Sequence, residues 1–146
     1  MISITQMSAS HIDEAAAIEA QCFSDPWSRA MLAAELENPS GLYLAAFDAA
    51  KLVGYAGMIC VLDEGHIHNV AVSPEYRKMG IGRSLIRALI QRAKDNGLQC
   101  LLLEVRAGNE AAVSLYQSLG FQQRGLRPNY YKNPREDALL MIFEII

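Results

Sequence analysis

The segment from Val70 to Asn96 restricts the possible fold more than any other part of this sequence. An apolar stretch, His66 to Ser73, has the pattern of a strand and runs into a basic loop with glycines at positions 80 and 82. A helix is predicted from about Gly82 to Asn96, because apolar residues recur there at helical spacing. A strand, a glycine-containing loop and a helix in this order predict an α/β step with an anion-binding loop.

The loop itself has the composition of an anion site. Glycines let the backbone approach a ligand closely, and the free N–H groups at a helix start carry partial positive charge. Three basic side chains add mobile charge: Arg77, Lys78 and Arg83. Neither a P-loop nor the dinucleotide fingerprint fits, since Leu85 stands where the latter needs glycine or alanine. Taken alone, however, two glycines near arginines also occur at ordinary helix starts.

Apolar patterns elsewhere predict further strands and three more helices. Strands are predicted around Ile2 and Ile4 and at residues 42–47, 51–62, 66–73, 99–106, 121–124 and 138–145. Helices are predicted from Ser10, with Asp13 completing a capping box, to Ala20, from Ser28 to Asn38, and from Asn109 to just before Gly120. The helix between the strands at 66–73 and 99–106 makes those two strands parallel. The polar segment 127–137 is predicted as a functional loop.

Size and composition narrow the class of protein. A chain of 146 residues, 51% of them hydrophobic, is predicted to form one domain over residues 1–146. It has no signal-peptide pattern and no apolar run of membrane-spanning length, so we expect a soluble, cytoplasmic protein without a membrane partner. The formal charge of -3 argues against nucleic-acid binding. The cysteines at 22, 60 and 100 are predicted to be reduced, and no metal-ligand spacing appears.

Two segments in the same order resemble the GNAT superfamily of N-acetyltransferases. Its signature, Arg/Gln-x-x-Gly-x-Gly/Ala, is matched by Arg77, Gly80 and Gly82, and its Asn…Leu-Tyr…Gly-Phe segment by residues 109–121. This resemblance implies an α/β (α+β) fold with a mixed, mostly antiparallel sheet of about seven strands and about four flanking helices. It also implies that the parallel strand pair splays apart at an acetyl-CoA site.

The same resemblance assigns the acetyl-CoA contacts. The backbone of Val70, Ala71 and Val72 would bind the pantetheine arm in the manner of an added β-strand. The pyrophosphate would be held by the loop residues, which are Arg77, Lys78, Met79, Gly80, Ile81, Gly82 and Arg83. Asn109 is either an N-cap alone or also a contact of the cofactor.

Two residues are candidates for proton transfer. Glu104 interrupts an apolar strand, where a carboxylate is costly unless it is paired or wet. It is therefore either a salt-bridge partner, of Arg106 or of a neighbouring strand, or a general base; the resemblance favours the base. Tyr116 is either a core aromatic or, as the resemblance implies, the acid that protonates the leaving thiolate, whose thiol has a pKa of about 8.5. His66 and His68 share one strand face and are expected to be structural.

Within the superfamily, the chain resembles the bacterial ribosomal-protein-alanine N-acetyltransferases. The matching residues are Pro26-Trp27-Ser28, Glu104-Val105-Arg106, Asn109, Leu115-Tyr116, Tyr130-Tyr131 and Glu136-Asp137-Ala138. This resemblance implies a protein N-terminus as partner, the N-terminal alanine of small-subunit ribosomal protein eighteen. It also implies that Trp27, Tyr130 and Tyr131 flank the peptide.

Some features of the acceptor stay open. The loop after Tyr131 departs from the family pattern: it is shorter and lacks a glycine. A small amine or a lysine is the alternative acceptor, and a non-catalytic acyl-CoA sensor is the alternative from another functional class. A cysteine nucleophile is disfavoured because none of the three adjoins a matching histidine. We expect a monomer.

Overall fold

A seven-stranded sheet forms the centre of the computed structural model, which describes residues 1–145. The strands are β1 (Ile2–Gln6), β2 (Gly41–Asp48), β3 (Lys51–Val61), β4 (Glu64–Val72), β5 (Cys100–Arg106), β6 (Gln122–Tyr131) and β7 (Glu136–Glu144). Their order across the sheet is β1-β2-β3-β4-β5-β7-β6. Neighbouring strands are antiparallel except β4 and β5, which are parallel. The predicted fold class is confirmed.

Four α-helices lie on the two faces of this sheet. They are α1 (Ile12–Cys22), α2 (Arg29–Glu37), α3 (Ile81–Asp95) and α4 (Glu110–Leu119). Residues of α3 and α4 share one apolar core with one face of the sheet, and residues of α1 and α2 share a second core with the other face. Successive residues of β2 alternate between the cores, Tyr43 and Ala45 in one and Leu44 and Ala46 in the other. The sheet is therefore covered on both sides.

Two of the predicted helix caps are confirmed and one is wrong. The Ser28 side chain accepts a hydrogen bond from Met31 N at 3.2 Å, and Asn109 Oδ1 accepts one from Ala112 N at the same distance. Ser10 does not cap α1, because a 3₁₀ turn at Ala9–His11 precedes that helix. There the His11 ring accepts the Ser8 N–H at 3.0 Å instead.

The parallel pair comes apart halfway along its length. Pairing of β4 with β5 ends at Ile67 opposite Leu103, although β4 continues to Val72 and β5 to Arg106. At the same point β4 contains one extra residue, because Gly57 pairs with Asn69 and Met58 with Ile67, which leaves His68 as a β-bulge. The backbone edges that face each other beyond the split are not paired with one another. A wedge-shaped cleft opens between the two strands.

The prediction of a long loop at residues 127–137 is wrong. β6 runs to Tyr131 and β7 starts at Glu136, so that only residues 132–135 form the turn of a hairpin. The register of this hairpin shifts between Arg127 and Tyr131, where Asn129 has a left-handed φ of 55°. An exposed, irregular edge strand has no hydrophobic period of two, and its sequence pattern is therefore that of a loop.

Buried tyrosines make stability depend on pH above about 10. Burial, the first cause in each case, raises the pKa of Tyr116 and of Tyr131 to about 12 and also raises the pKa values of Tyr43 and Tyr55. A tyrosine whose pKa is raised by folding stabilises the fold fully below its unfolded pKa of about 10, and that stability is lost as the pH rises through the folded pKa. We expect the unfolding temperature, followed by circular dichroism, to fall from about pH 10 upward, and to fall less steeply in Tyr116→Phe. Equal slopes in both proteins would contradict this.

No helix within residues 1–145 combines the length and the apolar character that crossing a bilayer requires.

Candidate functional site

The cleft between β4 and β5 contains the three strand residues predicted to bind a cofactor. Val70, Ala71 and Val72 lie on the part of β4 that has left β5. On its other edge this part pairs with β3, so the edge toward the cleft is the one open to an added strand. One carbonyl there has a partner already, because Cys22 Sγ donates to Val72 O at 3.3 Å. The remaining open edge fits an extended, amide-containing ligand.

The glycine loop stands at the mouth of this cleft. Lys78 and Gly80 have left-handed φ values of 65° and 79°, and α3 begins directly after Gly80. A Cβ added at Gly80 would meet no atom within 4 Å, so the space beside this glycine at the helix start is open. Exposed basic side chains at 77 and 78 border this space. The loop therefore has the free N–H groups, the room and the charge that an anion needs.

Four other residues predicted to bind the cofactor have different surroundings. Ile81 is buried in the core beneath α3, and Met79 is exposed on the loop. A Cβ added at Gly82 on α3 would lie 3.7 Å from the Leu115 side chain on α4, so this glycine faces α4. Arg83 donates to Ser118 Oγ at 2.8 Å, which directs its guanidinium toward α4.

Glu104 lies just past the split, on β5, and makes both of its side-chain contacts with β6. Its Oε1 accepts the Tyr130 hydroxyl at 3.4 Å, and its Oε2 lies 2.9 Å from Arg127 Nε. That ion pair is not aligned as a hydrogen bond, since Oε2 has no hydrogen-bond donor among the described residues. Glu104 thus has an ion-pair partner, but neither predicted partner is correct: Arg127 lies on β6, which is not adjacent to β5, and Arg106 pairs with Glu136. The side chain is 27% exposed, and its Oε2, which is buried, keeps unused acceptor capacity.

A cavity of about 240 Å³ opens beside Glu104. Its wall is formed by strand residues from both sides of the split: His66, Ile67, His68, Leu102, Leu103, Glu104, Arg127, Tyr130, Tyr131 and Leu140. His66 Nε2 is satisfied by Glu64 Oε1 at 3.1 Å, and the bulged His68 is exposed. The cavity therefore brings Glu104 together with two of the residues predicted to contact a peptide.

Tyr131 interacts electrostatically with both Glu104 and Tyr116. The Glu104 carboxylate contributes to the raised pKa of Tyr131, after burial, and the Tyr131 hydroxyl contributes in the same way to the raised pKa of Tyr116. Tyr116 is 8% exposed, and its ring packs against Phe121 with centroids 5.7 Å apart. At a pKa of about 12, its hydroxyl keeps its proton at neutral pH.

The third residue predicted to contact substrate, Trp27, lies apart from that cavity wall. It packs half-buried against the core under α1 and α2. Its loop nevertheless reaches the hairpin, because Ser24 Oγ donates to Asn133 O at 2.7 Å. The loop before α2 and the β6–β7 turn thus contact each other directly.

Sequence reasoning missed Glu19, a carboxylate that is 1% exposed at the end of α1. Its Oε1 accepts the Trp27 N–H at 2.8 Å, and its Oε2 accepts the Asn69 side chain at 2.7 Å and the Tyr55 hydroxyl. Asn69 Nδ2 also lies 3.1 Å from the Tyr55 hydroxyl. This network joins the Trp27 loop to β4 directly before the cofactor residues. A signal was available: Glu19 follows Ala15 by one helical turn on the apolar face.

No group of three or more potential metal ligands comes together within residues 1–145.

Comparison with protein families matches residues 12–121 to the acetyltransferase (GNAT) family. The ribosomal protein bS18-alanine N-acetyltransferase of Escherichia coli K12 is 36% identical over 147 residues, which are 99% of this chain and 99% of that protein. The N-alpha-acetyltransferase RimI of Mycobacterium tuberculosis is 38% identical over 146 residues, 96% of this chain and 90% of that protein.

The fold agrees with these matches. The crystal structure of the ribosomal-protein-S18-alanine N-acetyltransferase from Escherichia coli has a TM-score of 0.93 to this structure, with 99% of this chain and 94% of that chain covered. A family match across most of the chain, together with relatives well above 30% identity over nearly all of it, leads to one conclusion. This chain belongs to the GNAT family of acetyltransferases.

Proposed function

We propose that this protein transfers the acetyl group of acetyl-CoA to the N-terminal α-amine of a protein, the N-terminal alanine of ribosomal protein bS18. The observation that carries the proposal is Glu104, a partly exposed carboxylate on the wall of a cavity that adjoins the split between β4 and β5. An acceptor amine in that cavity would lie next to a cofactor held along β4. The names of the relatives support the choice of acceptor.

Different residues of the cleft would bind different parts of the cofactor. The open edge of β4 at Val70 to Val72 would hold the pantetheine arm, and the loop from Arg77 to Gly82 the pyrophosphate. Arg83 would have to leave Ser118 to assist the loop. The Asn109 side chain caps α4, so the presence of an asparagine there is explained without a contact to the cofactor.

Glu104 is the proposed general base. When the cofactor is bound, it supplies an acetyl thioester whose C–S bond breaks as the new C–N bond forms. Glu104 takes the first proton, which the α-ammonium must lose before it can attack, directly or through a water. The nitrogen loses a second proton as the amide forms, and this proton balances the one that the departing thiolate takes up. An α-amine with a pKa near 7.7 to 8.0 is partly neutral at physiological pH, whereas a lysine near 10.4 is about a thousandth neutral. A modest base therefore suffices for an N-terminus.

Tyr116 is the proposed general acid, which donates its hydroxyl proton to the departing thiolate. We expect Tyr116→Phe to lower kcat about a hundredfold, since positioned acids contribute at least that much, and to leave the KM for acetyl-CoA unchanged. The phenyl ring keeps its packing on Phe121, so the variant should fold. Steady-state kinetics with thiol detection would measure this, with Tyr43→Phe as the control because that hydroxyl contacts Glu35 on α2. Equal kcat values in the two variants would contradict the role of Tyr116.

An acceptor panel tests the proposed function. The purified protein and acetyl-CoA would be incubated with unacetylated bS18, with a peptide that begins with alanine, with the same peptide blocked at its N-terminus, and with a polyamine. Mass gain on the first two acceptors alone, matched by thiol release, is the expected result. Acetylation of the polyamine or of the blocked peptide at a comparable rate would overturn the choice of acceptor. Saturable binding of acetyl-CoA without turnover on any acceptor would favour a sensor. A ribosomal acceptor would place the reaction in the cytoplasm.

A further inference from the structure

Arg106 makes more contacts with the β6–β7 turn than its ion pair with Glu136 requires. Its Nη1 donates to Pro134 O at 2.9 Å and its Nη2 to Lys132 O at 3.1 Å, while Nη1 lies 3.3 Å from Glu136 Oε1. The guanidinium also lies 4.4 Å from the centre of the Tyr131 ring. A planar group with several donors in a fixed fork can satisfy all of these partners at once, which a lysine ammonium does not do.

The turn is held by side chains from outside the hairpin. Its three successive carbonyls at residues 132, 133 and 134 accept, in order, from Arg106, from Ser24 and again from Arg106. The turn residues are otherwise exposed, and only the pair Tyr131 and Glu136 closes the ladder beside them. Three hydrogen bonds are donated to the turn by side chains outside the hairpin, and two of them therefore come from the Arg106 guanidinium.

Arg106 also acts on the neighbours of both proposed catalytic residues. On β5 it lies two residues after Glu104, on the same face of the strand. Its guanidinium lies over the ring of Tyr131. Tyr131 in turn contributes, after burial, to the raised pKa of Tyr116. Its partner Glu136 accepts the Gly108 N–H at 2.6 Å and so fixes the residue that precedes the cap of α4. One side chain thus connects the turn, the aromatic wall of the cavity and the start of the helix that carries Tyr116.

We propose that Arg106 is a positioning residue for the acceptor: it clamps the turn at residues 132–135 and the Tyr131 ring, and thereby sets the affinity for the peptide. This inference rests on the proposed function. Arg106 itself does not touch the reacting atoms. It acts through the hairpin, whose Tyr130 and Tyr131 line the cavity beside Glu104.

The kinetic test compares Arg106→Gln and Arg106→Lys with the wild type. We expect both variants to raise the KM for an alanine-initiated peptide about tenfold or more, because small displacements of a positioning element are costly, and to leave the KM for acetyl-CoA within about twofold. Lysine should not rescue, since a point charge cannot bridge two carbonyls and a carboxylate. Arg124→Gln is the matched control, because Arg124 on β6 is exposed and forms an exposed salt bridge, at 3.3 Å, with Glu144 on β7. An unchanged KM for the peptide in a folded Arg106→Gln would overturn the role in acceptor binding.

A second measurement follows the clamp without relying on activity. Trypsin can cut after Lys132 and after Arg135, which both lie in the turn. We expect Arg106→Gln to be cleaved at these two sites at least about fivefold faster than the wild type and Arg124→Gln, because local opening exposes the turn. Unchanged cleavage in a folded variant would overturn the clamp. If the wild type acetylates no peptide, the proposed function fails, while the cleavage rates still decide whether Arg106 holds the turn.

Discussion

Glu104→Gln is expected to lower kcat by between about a hundredfold and ten-thousandfold, the range that a positioned general base contributes. Glutamine has nearly the same shape but cannot take a proton from the amine. It can still accept the Tyr130 hydroxyl, although it loses the ion pair with Arg127. Because Glu104 is not among the groups proposed to hold the cofactor, the KM for acetyl-CoA should stay the same.

Initial rates of thiol release with a saturating alanine-initiated peptide would measure this loss. Glu110→Gln is the matched control, because Glu110 is an exposed residue in the first turn of α4 and should leave kcat within about twofold. Thermal unfolding of both variants would show that the fold is intact. If Glu104→Gln kept at least a third of the wild-type kcat, proton removal would have to be assigned to another group.

Of the substitutions proposed for this protein, Glu19→Ala is expected to lower the free energy of unfolding most. The carboxylate is the common acceptor of Trp27 N, the Asn69 amide and the Tyr55 hydroxyl, and alanine would leave these buried donors without it. Leaving a buried polar group without its hydrogen-bond partner typically costs about 1 to 3 kcal/mol, and three donors lose their acceptor here. Whole domains are stable by only about 5 to 15 kcal/mol, so much of the free energy of unfolding would be lost.

Urea denaturation followed by circular dichroism would measure the change. Glu37→Ala, at an exposed position in the last turn of α2, is the control and should change the free energy of unfolding by less than about 0.5 kcal/mol. Glu19→Gln should fall between the two, since the amide keeps one acceptor oxygen. A loss below about 1 kcal/mol for Glu19→Ala would mean that water or a shifted side chain replaces the carboxylate.

The regular elements were predictable because their signals are local. Helical spacing of apolar residues predicted α3, and the side chains at 28 and 109 marked the starts of α2 and α4. The parallel pair followed from the helix between its strands. Both strands of the last hairpin were predicted, but the continuation of β6 beyond Arg124 was missed because that part is exposed and irregular, which removes the alternation that identifies a strand.

The candidate site was partly predictable, because one of its signals is also local in the sequence. Glu104 could be singled out because a charge interrupts an apolar strand, a signal confined to a few residues. Glu19 lies in an alanine-rich helix where a glutamate is ordinary, and its partners Tyr55 and Asn69 are 36 and 50 residues away. Arg127 pairs with Glu104 although its strand, β6, is not adjacent to β5, and the register of β6 shifts just after Arg127. The spacing of residues in the sequence does not reveal such a contact.

The most direct test uses one peptide that begins with alanine and also contains a lysine. After incubation with acetyl-CoA and the wild-type protein, fragmentation in the mass spectrometer locates each acetyl group on the peptide. From the proposed mechanism we expect acetylation of the α-amine alone, at a rate that falls by at least about a hundredfold in Glu104→Gln. Acetylation of the lysine side chain, or equal α-amine acetylation by the Glu104→Gln variant, would contradict it.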